Sequence, residues 1–137
     1  MTATPNSAVL PQTPFSRTAI ATAAETSFHS PTNMVDLLLA ADNTNGARVS
    51  RLFAIPRATI GTANNVQLYE RNGSTYTLID SVLLATVTPG ASVANAKADF
   101  GYSEDAPLYV RAGYGLAVAI GVAVANGVVV KAEGGLY

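Results

Sequence analysis

The clearest pattern in the chain lies between positions 114 and 125, where Leu116, Val118, Ile120, Val122 and Val124 alternate with Ala117, Ala119, Gly121, Ala123 and Ala125. Successive side chains of a strand point to opposite faces, so this segment has one large apolar face and one face of minimal side chains. The large face belongs in a core between sheets. The small face carries no polar residue and calls for close cover, by a loop of the same chain or by another protomer. From Thr18 onward, short apolar segments rich in β-branched residues are separated by turn clusters, the mark of an all-β chain. The pattern predicts strands near 18–24, 34–41, 47–57, 64–71, 74–86, 107–111, 114–125 and 128–133. Eight strands suit two packed sheets. The expected fold class is therefore all-β: a two-sheet antiparallel sandwich, jelly-roll-like.

The connectors carry turn chemistry: His29-Ser30-Pro31-Thr32-Asn33, Asp42-Asn43-Thr44-Asn45-Gly46, Thr59 to Asn65, and a long stretch from Val87 to Ala106. Within the last, Ala91 to Ala98 reads as a short helix, started by Pro89-Gly90 and Ser92 and stopped by Phe100-Gly101. Side-chain parity also constrains the hairpins. A three-residue loop Ala125-Asn126-Gly127 would group Val124 with Val128 and turn Lys131 and Glu133 outward. A three-residue loop Arg71-Asn72-Gly73 would align Val66 and Leu68 with Leu78 and Tyr76. Residues 1–16 hold Pro5, Pro11 and Pro14 among small polar residues and read as an extended arm, leaving 17–137 as a single sandwich domain. Such an arm is either a free tail or a strap that orders on a neighbouring subunit.

Composition sharpens this picture. Charged residues make up 12% of the chain against 49% hydrophobic, about half the charge usual in soluble domains. A surface so poor in charge points to cover by partner chains or a closed oligomer. Six of the eight basic residues are arginine, the bias protein interfaces show. A net charge of −1 with no Lys/Arg cluster argues against nucleic acid as the main partner. The absence of cysteine removes disulfides and thiolate metal sites. The first residues, Met1-Thr2-Ala3-Thr4-Pro5, do not read as a signal peptide. Leu116 to Val130 is apolar, but it is shorter than a span of about 20 residues and is broken by Asn126-Gly127, so no membrane segment is expected.

Candidate chemistry is sparse. His29 is the only histidine, with Ser27 and Ser30 near it, but no nucleophile-elbow spacing accompanies it. Glu104 and Asp105 are neighbours and would point apart in an extended chain, whereas glycoside hydrolysis needs carboxyl groups facing across a cleft. Asp42 to Gly46 lacks the closing glutamate of a calcium loop. Asp36, set among Met34, Val35, Leu37, Leu38 and Leu39, is expected to pair with Arg48, Arg51 or Arg57 of the next strand. No enzyme activity, cofactor or metal site is expected. The tyrosines at 69, 76, 102, 109, 114 and 137 suit strand faces, and a sugar-binding surface is the competing use for them.

The proline-containing arm, Val49-Ser50-Arg51-Leu52-Phe53, the Val66-Gln67-Leu68-Tyr69 strand with its Asn-Gly turn, and the ending Gly135-Leu136-Tyr137 together give a layout similar to small structural proteins of tailed bacteriophages. It resembles the jelly-roll cementing or decoration proteins of their icosahedral heads. The resemblance implies a virion protein on the outer capsid surface. Such a protein is made in the host cytoplasm, binds the major capsid protein and itself as a homodimer or trimer, and ties neighbouring capsomers together without covalent bonds. Leu10, Phe15, Leu136 and Tyr137 are the contact candidates, as apolar residues near the two ends. A carbohydrate- or receptor-binding module of a phage tail or fibre is the alternative.

Overall fold

The computed structural model describes residues 10–137. It contains strands β1 (Thr13–Ala21), β2 (Val35–Leu38), β3 (Ala47–Pro56), β4 (Asn64–Asn72), β5 (Thr75–Leu84), β6 (Ala98–Asp99), β7 (Leu108–Val110), β8 (Gly115–Ile120) and β9 (Val128–Leu136). A 3-10 turn over Ala40–Asp42 is the one helical element among the described residues. The strands form two antiparallel sheets. One runs β1-β9-β3, with β6 and β7 both on the far edge of β3, and the other runs β2-β8-β4-β5. Pairing is nested: β1 with β9, β2 with β8, β3 with β6 and β7, β4 with β5. With β6 and β7 counted as one interrupted strand, this is the wound-up hairpin of an eight-stranded jelly roll.

The core fills the space between the sheets. Phe15, Ala19 and Ala21 of β1, Leu52 and Ala54 of β3, and Val128, Val130 and Ala132 of β9 face Val66 and Leu68 of β4 and Leu116, Val118 and Ile120 of β8. The two-faced strand is real over Gly115–Ile120, where Ala117 and Ala119 join a separate cluster on the opposite side. That small face is covered by the chain itself: Tyr69 lies on the two alanines, with Met34, Tyr76 and Leu78 packed around it.

Several expectations change. The arm does not extend to residue 16. β1 begins at Thr13, five residues ahead of the expected strand start, because Pro14 sits on an edge strand where its missing N–H breaks no sheet-internal ladder. Positions 1–9 of the expected arm lie outside the described residues. The 114–125 strand ends at Ile120, where Asn64 intervenes. Its Oδ1 accepts from the amides of Gly121 and Val122, each at 3.0 Å, and its Nδ2 donates to the Val122 carbonyl at 2.8 Å. Residues 121–127 then cross to the other sheet, so no β8–β9 hairpin exists and the Ala125-Asn126-Gly127 loop does not form as expected. β8 lies between β2 and β4, and β9 between β1 and β3.

The β4–β5 turn is also tighter than expected. Asn72 pairs with Thr75, leaving a two-residue Gly73-Ser74 loop with Gly73 at φ +61°. A bulge at Ile79 then shifts the register, so Tyr69 faces Leu78 while Leu68 faces Asp80 and Val66 faces Val82. No helix forms over Ala91 to Ala98; a Gly90–Val93 turn leads into the short β6 instead. Asp36 pairs with Arg71 at 3.3 Å and not with an arginine of β3, because β2 joins β8 and not β3.

Candidate functional site

Two features stand out, a buried carboxylate and the surface around the first and last described residues. Glu25 is 3% exposed. Its Oε1 accepts from the amides of Thr32 and Asn33 (2.8 Å for the latter), and its Oε2 accepts from Ser27 at 3.1 Å. Its own amide donates to the Ile120 carbonyl at 2.7 Å, and its carbonyl accepts from the Gln67 amide at 3.0 Å. Gln67 in turn accepts from the Tyr69 hydroxyl. The carboxylate thus closes the 25–33 loop on itself, and the main chain of the same residue ties that loop to β4 and β8 beside the alanine face.

Burial acts to raise the Glu25 pKa, but the backbone amides of Asn33, Ser27, Thr32 and Thr26 outweigh it and hold the group below the ordinary carboxylate value. A depressed folded pKa means stability that is present above the unfolded value and lost as pH falls through the folded one. The domain is therefore expected to weaken in acid below the unfolded carboxylate range, about pH 4. Glu25→Gln should cost about 1–3 kcal/mol at neutral pH and flatten that acid decline. Urea titrations at pH 7 and pH 3 test this, and equal acid sensitivity of both proteins counts against it.

The second feature is built by β1, β3, β7 and β9. Thr13 pairs with Leu136, the Gln12 amide donates to the Leu136 carbonyl at 2.8 Å, and the Tyr137 amide donates to the Gly46 carbonyl at 3.1 Å. Pro11 lies against Gly135. Leu10, 66% exposed, borders a recess of about 410 Å³ with Pro11, Pro14, Arg48 and Glu104 among its walls. Arg48 forms an ion pair with Glu104 at 3.3 Å and donates to its carbonyl, while its Nε has no partner among the described residues. A second recess is bordered by Tyr137 together with Tyr109 and Tyr114.

Of the contact candidates, the structure brings Leu10, Leu136 and Tyr137 to this one end. Phe15 does not join them: at 2% exposed it is a core residue, since odd positions of β1 face inward. Leu136 is half-buried and packs against the core. His29 is exposed in the loop after Glu25, beside Ser30, Pro31 and Tyr76. Glu104 is engaged by Arg48. Tyr102 donates to Asp80 at 2.7 Å, and burial together with that bond pushes its phenol well above the ordinary value. No grouping of three His, Asp or Glu side chains fit to hold a metal ion occurs among the described residues. No helix among them is long and apolar enough to cross a membrane.

Glu25, Gln67 and Asn64 escaped the sequence reading. The signal available was a polar residue inside an apolar strand, as with Gln67 between Val66 and Leu68, which marks a buried hydrogen-bond partner. No family model matches the chain, and neither the curated proteins nor the solved structures contain a match to it.

Proposed function

We propose that this jelly-roll domain is a structural virion protein that binds the outer surface of a tailed-phage capsid and cements neighbouring major-capsid subunits without covalent bonds. The observation that carries the reading is the convergence of Leu10, Leu136 and Tyr137 on one end of a rigid sandwich. Exposed Leu10 supplies an apolar anchor there, next to the Arg48–Glu104 pair. A chain with 12% charged residues also suits a surface that is covered in its working state. Modest contacts repeated in many symmetric copies add up through multivalency, which suits a cement better than a single tight joint. Self-association, as a dimer or a trimer, would multiply these contacts.

The direct test is mass and copy number in purified particles. Copies on the order of hundreds support the reading, whereas a handful or none overturns it. Deleting residues 1–10 is expected to leave the melting temperature within a few degrees, because β1 starts at Thr13, while particle attachment measured by co-sedimentation falls at least about tenfold. Unchanged attachment would remove the N-terminal residues from the contact.

A further inference from the structure

The recess beside Tyr137 has a chemistry of its own. It measures about 530 Å³ and is lined by Asn45, Glu70, Tyr109, Arg111, Tyr114 and Tyr137 among others. That volume lies in the range of small-molecule sites. Three phenol rings border it, Tyr109 on β7 being 62% exposed and Tyr114 and Tyr137 half-buried. The Arg111 guanidinium stands 5.3 Å from the centre of the Tyr114 ring, with Nη1 3.4 Å from the Tyr114 hydroxyl.

The rim is held in place before any ligand arrives. Asn43 is fully buried, and its Nδ2 donates to the carbonyls of Arg111 (2.8 Å) and Tyr114 (2.9 Å), while its own carbonyl accepts from the Gly113 amide at 2.7 Å. The turn that carries Arg111 and Tyr114 is thereby clamped to the 40–43 turn. The Tyr137 backbone is held by its N–H, which donates to the Gly46 carbonyl, and the Tyr109 backbone by ladder pairing with Arg48. A rim whose backbone need not reorganise gives up less on binding.

A pyranose ring needs flat apolar surfaces for its C–H faces, together with mixed donors and acceptors for its hydroxyls. The tyrosine faces supply the first. The Arg111 fork, the Glu70 carboxylate and the Asn45 amide supply the second. A phosphate ligand fits less well, since Glu70 opposes the one guanidinium in the recess. A wholly apolar ligand would leave both charged side chains of the recess unused. We infer that this recess is a saccharide-binding site, sized for one or two sugar rings, which shares Tyr137 with the end proposed for shell attachment.

The test is an amide NMR titration of the full chain with glucose, galactose, rhamnose, N-acetylglucosamine and their disaccharides. At least one is expected to give saturable shifts confined to residues 45–47, 69–71, 109–114 and 136–137, with a Kd on the order of 1 mM. Tyr109→Ala and Glu70→Gln should each weaken it at least about tenfold. Tyr109 is exposed, so its truncation leaves the rest of the spectrum in place and the comparison valid. No saturable shift with any sugar of the panel overturns the inference, as does binding that survives Tyr109→Ala undiminished. Capsid attachment is read separately, by co-sedimentation: deleting residues 1–10, none of which lines the recess, is expected to lower attachment and to leave the sugar shifts in place.

Discussion

Gly134→Ala is expected to cost the domain its cooperative fold or most of its stability. A Cβ at Gly134 would lie 1.8 Å from the Arg48 carbonyl oxygen, 2.8 Å from the Arg48 carbonyl carbon and 2.9 Å from the Val49 Cα. All three are backbone atoms, so no side chain can swing away. The approach is this close because β3 bulges between Val49 and Arg51 where it pairs with Gly134 and Glu133. Relief would require β9 to move, and β9 is bonded to β1 on its other edge. A loss of at least about 3 kcal/mol follows from forced backbone shifts of this kind, against a total stability of about 5–15 kcal/mol. The control is Gly61→Ala, whose added methyl meets nothing within 4 Å. It should be near neutral or slightly stabilising. Equal urea midpoints for the two variants would contradict the bulge geometry.

Phe15→Ala is the second large effect, expected at about 3–5 kcal/mol for a buried aromatic truncated in a core. The ring is 2% exposed and belongs to the cluster between the sheets. Leu10→Ala, by contrast, removes a side chain that is 66% exposed and should change stability by no more than about 0.5 kcal/mol. Denaturation of the two variants side by side separates a core strand from a surface contact. If Phe15→Ala unfolds like the parent protein, β1 does not begin at Thr13.

What could be read in the sequence was whatever depends on period-two alternation. Leu116, Val118 and Ile120 were placed in the core, and Ala117 and Ala119 on a covered face, because strand geometry alone assigns them. Pairing was harder, since a strand next in sequence is the natural partner only where its edge is free. Val128 follows β8 in the chain, yet both edges of β8 are taken by β2 and β4. The Gly73-Ser74 turn is hidden for a related reason: parity does not run unbroken along β5, because the bulge at Ile79 resets it. Phe15 reads as part of an arm because Pro11 and Pro14 precede it closely, although an edge strand tolerates proline. The tyrosine recess was invisible to spacing, since Glu70, Tyr109 and Tyr137 meet only through the nested winding.

That winding also orders events in time. β9 lies between β1 and β3, so the five-stranded sheet lacks this inner member until residues 128–136 leave the ribosome. Until then β1 and β3 present open edges to each other with nothing to close them. Closing the β1–β9 pair joins residues 13–21 to residues 128–136, a long-range step that slows folding. A nascent chain stalled before Val128 would therefore be a substrate for chaperones or for aggregation.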